Sequence, residues 1–299
     1  MLESVALPIV RWALSEDVGT GDITTLNTIK SGVGARASIM VKEDGVVAGL
    51  DVARLVFREL EPALRFEPQV RDGTFVKAGV AAARLFGPVG SILTGERTAL
   101  NFLQHLSGIA TLTRKFVERI HGTGAAILDT RKTTPGLRYL EKYAVKMGGG
   151  ENHRFALWDM YLVKDNHIRA AGGLTAAIDR IQRTRQDVAL EVEVESMAQL
   201  EEALRPEVDR ILVDNRTVEE VRAAVAAVDA WCRIHPPDER MKRKGAKRWP
   251  ELEVSGGLNL DTVRGYAETG VDFLSVGALT HSAPALNLSL EIEDVGVNA

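Results

Sequence analysis

The chain has one cysteine, Cys232, in 299 residues. That excludes an intramolecular disulfide and a thiolate metal cluster. It also fits a reducing compartment. No apolar run approaches the roughly 20 residues needed to span a bilayer. No charge of one sign dominates. The net charge is −4, so nothing global attracts nucleic acid or an anionic membrane. The opening stretch MLESVALPIVRWALSEDVGTGD lacks a basic start and a cleavage site, and its apolar spacing predicts an amphipathic helix. These absences leave a soluble cytoplasmic protein as the expectation. Its 45% hydrophobic and 26% charged residues are ordinary for a folded chain, and its length allows one large α/β domain or two smaller ones.

From about residue 125 the chain is periodic. Short apolar runs occur at AAILDT (125–130), MYLVKDN (160–166), ALEVEVE (189–195), DRILVDN (209–215), LEVSGG (252–257) and DFLSVGA (272–278). Helical patterns lie between most of them. Strand–helix alternation predicts a parallel sheet with right-handed crossovers. Six strands without two clear halves favour a barrel over a doubly wound sheet, although periodicity leaves that choice open. Residues 1 to about 107 read differently, as strands with glycine-containing turns followed by a helical region with a break near Gly108. They predict a separate N-terminal α+β domain.

Each apolar run ends in chemistry. In parallel α/β folds ligands bind at the carboxyl ends of strands, so these residues should converge on one rim. Arg131 and Lys132 follow the first run and can hold a carboxylate or phosphate, Arg as a bidentate fork. His153 and Arg154 follow three glycines in GGGENHR, where backbone N–H groups can approach an anion. Lys164 ends LVK as a Schiff-base lysine or an anion ligand. LEVEVE sets Glu191, Glu193 and Glu195 on one strand face. Parallel strands usually have both faces covered, and an unpaired buried carboxylate is costly. At least one of the three should therefore meet a cation, a metal or hydroxyl donors. Asp214, beside Glu193, makes a magnesium or ribose-hydroxyl site. Ser255-Gly256-Gly257 and Val276-Gly277-Ala278 end the last two strands, where backbone N–H groups frequently cradle phosphate. The implied substrates are a polyanion and a phosphorylated sugar.

The motifs EDVGTGDITT (16–25), GERTALNFLQHLSGIAT (95–111), ILDTRKTTPGLRYLEKYAVKMGGGENHR (127–154), LVKDNH (162–167), EVEVES (191–196), LVDN (212–215), SGG (255–257) and SVGALTHSAPALNLSL (275–290) run nearly end to end. In these the chain resembles the quinolinate phosphoribosyltransferases. The resemblance implies an enzyme that joins quinolinate to phosphoribosyl pyrophosphate with Mg²⁺, releasing nicotinate mononucleotide, CO2 and pyrophosphate in NAD biosynthesis. It implies an N-terminal α/β sandwich (1–107, with 283–299 returning to it) and a partly open, seven-stranded α/β barrel (108–282). It also implies a homodimer, possible higher assembly, and no nucleic acid or membrane partner. By matching positions, Thr130, Arg131, His153, Arg154 and Lys164 would hold quinolinate, with Arg97 reaching in from the neighbouring subunit. Lys132, Lys164, Glu193 and Asp214 would meet phosphoribosyl pyrophosphate and its magnesium. Ser255, Gly256, Gly257, Val276, Gly277 and Ala278 would cradle the 5′-phosphate. Lys164, Glu193 and Asp214 would act in the chemistry. Glu191 and Glu195 receive no role.

One stretch departs from the family. CRIHPPDERMKRKGAKRWPE (232–251) is long and carries Arg233, Arg240, Lys242, Arg243, Lys244, Lys247 and Arg248. It reads as a solvated insertion away from the rim, or as a partner- or polyanion-binding loop. Three rival functions remain. One is a same-fold paralogue of the molybdenum-transport-associated type. The others are a Schiff-base aldolase using Lys164 and a non-catalytic sensor of pyridine carboxylates or phosphoribosyl pyrophosphate.

Overall fold

Stretches such as GARASIMV and AAARLFGP, rich in small and apolar residues, pair as strands, and the fold grows from these local choices. The computed structural model describes residues 2–184, 187–205, 207–235 and 248–296. Its strands are β1 Gly34–Val41, β2 Gly45–Val46, β3 Arg65–Pro68, β4 Phe75–Val76, β5 Ala81–Pro88, β6 Ala126–Leu128, β7 Tyr161–Val163, β8 Leu190–Val194, β9 Arg210–Asp214, β10 Glu251–Ser255, β11 Phe273–Ser275 and β12 Leu288–Val295. Among the described residues, no helix is long and apolar enough to cross a membrane.

The chain divides into two compact units. The first comprises 1–114, 132–150 and 279–299; the second comprises 115–131 and 151–278. The helix Arg138–Met147 thus groups with the first unit, although it lies inside the 108–282 stretch.

The first unit carries an antiparallel sheet in the order β12-β1-β5-β3. β12 comes from the end of the chain and pairs along β1 from Ala35↔Val295 to Val41↔Leu288. Helix Leu50–Leu60 buries Leu50, Val52, Ala53, Leu55, Val56 and Phe57 on one side, the spacing of an amphipathic helix. Its first N–H groups are capped from a distance. Asp72 accepts from Gly49 N–H at 2.9 Å and Leu50 N–H at 3.2 Å, and Tyr143 Oη donates to it at 2.7 Å.

The expected break at Gly108 is absent. Val89–Arg119 is one helix, and Gly108 lies inside it. The glycine answers a crossing: a Cβ there would lie 2.1 Å from the Pro284 carbonyl oxygen. Two effects of Gly108→Ala oppose each other. Helix propensity favours alanine by about 1 kcal/mol. Overpacking against a backbone atom costs about 1–3 kcal/mol. The clash should win, so the variant melts several degrees below the parent in thermal denaturation. A higher melting temperature would show that the Pro284 segment yields freely.

The second unit is a six-stranded parallel sheet in the order β6-β11-β10-β9-β8-β7. All six strands fall in the apolar runs of the sequence. The seventh strand implied by the resemblance is reduced to a single parallel bridge, Leu128↔Glu151. It supplies two backbone bonds, Glu151 N–H to Ile127 O at 2.8 Å and Asp129 N–H to Glu151 O at 3.2 Å. Among the described residues β7 and β6 end the order unpaired with each other, so the barrel is open.

The insertion is described only at its ends; 236–247 lie outside the described residues. Arg248 is not part of a solvated basic loop. It is well buried, pairs with Asp229 at 2.9 Å and Asp272 at 3.1 Å, and donates to Gly270 O at 2.5 Å. Its place beside β10 and β11 makes it a structural clamp.

Candidate active site

Parallel strands all point the same way, so the six carboxyl ends of the second unit share one end of the sheet. There stand Asp129-Thr130-Arg131 after β6, Lys164 after β7, Glu193 on β8 and Asp214 at the end of β9. Ser255-Gly256-Gly257 closes β10, and Val276-Gly277-Ala278 follows β11. The convergence read from the sequence is therefore present for every predicted residue of this unit. Arg97 and Lys132 belong to the first unit. Both are exposed. Arg97 makes no ion pair among the described residues.

A pair of guanidinium groups stands at this end of the sheet. Burial pushes the Arg154 pKa below its ordinary value, and the charge of Arg131 pushes it further. Arg131 Nε is buried with no hydrogen-bond partner among the described residues. Arg154 Nη1 donates to Met160 O at 3.2 Å, which fixes one side of its fork. Two like charges with an unused buried donor form a site whose repulsion an anion would relieve.

The backbone beneath this pair is clamped. Asp129, fully buried, accepts His153 N–H at 3.0 Å. His153 Nδ1 accepts Arg154 N–H at 2.7 Å. On the other side of the ring, Nε2 lies 2.9 Å from Glu191 Oε2 and 3.5 Å from Glu253 Oε1. Both ring nitrogens are thus taken by the protein. The resemblance has His153 touching a substrate carboxylate directly. In this structure its Nδ1 faces the Arg154 amide and its Nε2 faces the buried acids.

Those acids belong to an interior cluster that the sequence reading left unassigned. Parallel pairing sets Glu191 opposite Arg210, and Arg210 opposite Glu251. Arg210 Nη1 donates to Glu253 at 3.0 Å and Nη2 to Glu251 at 3.1 Å. Its guanidinium lies 3.9 Å from the centroid of the Phe273 ring. Ser275 Oγ donates to Glu253 at 2.5 Å. Burial, then the neighbouring charge of Glu191, raises the Glu253 pKa to about 7. Burial pulls His153 down, but Glu253 and Glu191 outweigh it and leave its pKa raised. A second proton would have to sit on Nδ1, and the Arg154 amide already occupies that position. One signal in the sequence could have found this cluster. Glu191, Arg210, Glu253 and Ser275 fall on positions of matching parity along the paired strands.

The three glutamates of LEVEVE separate by depth. Glu191 is fully buried in the interior, Glu193 is 9% exposed, and Glu195 is exposed beyond the strand end. Glu193 forms an ion pair with Lys164 across the β7–β8 ends. Asp214 is half-buried on the next strand, held by Asn215 Nδ2 at 2.6 Å. The turn after β10 presses on the turn after β9. Asn215 adopts a left-handed φ of 52°, and a Cβ on Gly256 would lie 2.2 Å from its side-chain oxygen. The next glycine, Gly257, also has a positive φ, yet a Cβ there would meet nothing within 4 Å. The backbone at Gly257 is therefore open to a ligand, and the one at Gly256 is closed by packing.

Two carboxylates on adjacent strand ends fit Mg²⁺, which favours a few hard oxygen ligands supplemented by water and phosphate. Glu193 and Asp214 supply that donor set. The one group of three potential metal ligands among the described residues is elsewhere, at His153, Glu191 and Glu253.

Comparison with known proteins gives a consistent result. Residues 22–107 match the family model "Quinolinate phosphoribosyl transferase, N-terminal domain", and residues 109–291 match the corresponding C-terminal domain. A nicotinate-nucleotide pyrophosphorylase [carboxylating] of Mycobacterium leprae is 42% identical over 286 residues, covering 95% of each chain. The chloroplastic enzyme of the same name from Oryza sativa subsp. japonica is 40% identical, over 95% of this chain and 77% of that one. A solved nicotinate-nucleotide pyrophosphorylase from Francisella tularensis superposes with a TM-score of 0.89 at 36% identity, covering 98% of both chains. That from Ehrlichia chaffeensis gives 0.85 at 38% identity, covering 96% of this chain and 98% of that one.

Proposed function

The chain belongs to the quinolinate phosphoribosyltransferase family, and on that premise we propose how its rim divides the work of the family reaction. The reaction joins quinolinate to phosphoribosyl pyrophosphate and yields nicotinate mononucleotide, CO2 and pyrophosphate, a step of NAD biosynthesis. The observation that carries the assignment is the Arg131–Arg154 pair with its unused buried donor. A pyridine dicarboxylate supplies two anions to two forks. Thr130, beside Arg131, and Lys164 complete the pocket from neighbouring strand ends.

The phosphoribosyl group lies along the later strands. Lys132, one residue beyond Arg131, meets the pyrophosphate. Glu193 and Asp214 face the ribose hydroxyls. Ser255, Gly256, Gly257 and the Val276-Gly277-Ala278 turn receive the 5′-phosphate, with Gly257 giving the close backbone approach. Held by Glu193 and Asp214, mostly through water and substrate, Mg²⁺ would neutralise charge on the departing pyrophosphate.

The chemistry follows from these placements. The pyridine nitrogen attacks the anomeric carbon as the bond to pyrophosphate breaks. Positive charge develops on the ribose ring, and the Glu193 and Asp214 carboxylates stabilise it. The N-glycosylated ring is then a pyridinium. It accepts the electron pair released when the adjacent carboxylate leaves as CO2, and a proton replaces it on carbon. The protein's task in that step is to hold the ring. The Lys164–Glu193 ion pair counts against an aldolase, whose lysine must be free to attack a carbonyl.

We further propose a homodimer in which exposed Arg97 enters the neighbouring subunit's quinolinate pocket. The single cysteine fits a reducing compartment such as the cytoplasm.

The test is pyrophosphate release together with labelled CO2 from the quinolinate 2-carboxylate, given Mg²⁺ and phosphoribosyl pyrophosphate. A parallel reaction contains nicotinate instead. Release of both products with quinolinate and neither with nicotinate is expected. Pyrophosphate release with nicotinate alone would point to a paralogue. Ligand binding without any release would point to a sensor.

A further inference from the structure

The interior of the second unit holds a group that the reaction, as described, does not use. Glu191 is fully buried, and neither of its oxygens receives a well-directed hydrogen bond among the described residues. Its nearest cation or donor is His153 Nε2, at 2.9 Å. A buried carboxylate so placed is costly unless something depends on it.

The dependence runs through one imidazole. A carboxylate cannot donate, and its charge 2.9 Å from Nε2 draws the His153 proton to that nitrogen even though the contact lies off a good hydrogen-bond direction. With the proton there, Nδ1 is an acceptor, and it accepts the Arg154 amide at 2.7 Å. The opposite tautomer would set an N–H against that amide N–H and push Arg154 away. The His153 amide is anchored separately by Asp129. The ring is thus free to respond to Glu191 without the strand-end segment coming loose. Glu253 reinforces the same tautomer from 3.5 Å, and Arg210 and Ser275 fix Glu253 in place.

We propose that Glu191 is a positioning residue for the dicarboxylate pocket: it fixes the His153 tautomer whose Nδ1 holds the Arg154 amide, and so sets where Arg154 stands beside Arg131. The proposal rests on the quinolinate reading for the ligand, but its geometric core does not. Aligned donors and acceptors of this kind, one layer beneath the binding groups, commonly determine their orientation.

Two substitutions test it. Glu191→Leu removes the acceptor. Glu191→Gln keeps an acceptor oxygen beside Nε2. The Leu variant should raise the KM for quinolinate about tenfold or more, the Gln variant, which keeps the tautomer, should stay within about twofold of the parent, and the KM for phosphoribosyl pyrophosphate should stay within about twofold in both. Imidazole nitrogen NMR on the substrate-free protein should show His153 as the Nε2–H tautomer in the parent and in Glu191→Gln. It should show loss of that single tautomer in Glu191→Leu. If the Leu variant does not fold, the tautomer of the parent still decides, because an Nδ1–H imidazole could not accept the Arg154 amide.

A quinolinate KM within about twofold of the parent in Glu191→Leu, or an equal rise for both substrates, would overturn the inference. So would an Nδ1–H tautomer in the parent. The two readings fail separately. A parent that does not turn over quinolinate defeats the functional assignment, whereas the NMR result addresses the Glu191–His153–Arg154 linkage alone.

Discussion

Arg131→Ala should lose useful quinolinate binding and keep its fold. A charged hydrogen bond contributes about 1.5–3 kcal/mol. A bidentate fork on a carboxylate therefore accounts for about 3–6 kcal/mol, a factor of roughly a hundred to ten thousand in affinity. The fold should not suffer, because Arg131 is in an unfavourable place without substrate. Its Nε is buried without a hydrogen-bond partner, and its charge opposes that of Arg154. Removing it relieves that repulsion. The measurement is steady-state kinetics with each substrate varied in turn, beside a thermal melt. The expected pattern is a very large rise in quinolinate KM, little change for phosphoribosyl pyrophosphate, and a melting temperature equal to or above the parent's. Near-normal turnover at low quinolinate would remove Arg131 from the pocket. A collapse of the melting temperature would make it a structural residue.

Lys164→Ala should be nearly inactive, and so should Arg97→Ala, yet a mixture of the two should recover activity. Lys164 stands at a strand end in ion pair with Glu193, where it meets both substrates under the proposed arrangement. Its loss leaves Glu193, only 9% exposed, without its cation, which harms both binding and the stabilisation of developing charge. Arg97 belongs to the other compact unit and is exposed. If it serves the neighbouring subunit in a two-fold dimer, each mixed dimer contains one site with Arg97 from one chain and Lys164 from the other. Random mixing makes half the dimers mixed, with one good site each, so about one quarter of parental activity returns. The readout is product formation after co-refolding, with mixed dimers confirmed by differential tagging. Absence of recovery in confirmed mixed dimers would show that Arg97 is not shared.

A deletion of 236–248 would not be a neutral test of the basic insertion. It would remove Arg248, which clamps Asp229, Asp272 and Gly270. A deletion confined to 236–247 keeps that clamp, and its turnover should stay close to the parent's.

Much of this protein was legible in its sequence, for a physical reason. Strand ends in a parallel sheet share one edge by construction, so residues dispersed from Arg131 to Ala278 could be placed together without coordinates. The six apolar runs became the six strands, and the charged residues after them became the rim. The acid and glycine types at those ends pointed to phosphate and ribose chemistry, because few other residues suit it.

What lay beyond the sequence was everything that depends on depth and on a second chain segment. LEVEVE shows three equivalent glutamates. Only the fold makes Glu191 interior, Glu193 a rim residue and Glu195 exposed, because a strand passes from the core to the surface along its length. Gly108 looks like a helix breaker in one dimension. It is a crossing point in three, since the Pro284 carbonyl comes from 176 positions later in the chain. The seventh strand shrank to Glu151, and no local propensity records how many ladder bonds a neighbour will accept. His153 reads in the sequence only as a strand-end imidazole; that its nitrogens stand beside the Arg154 amide and Glu191 is visible only in the fold. Sequence gives the identity of a side chain and, through periodicity, its face. Which atom of it meets which partner is decided by the packing of residues far apart in the chain.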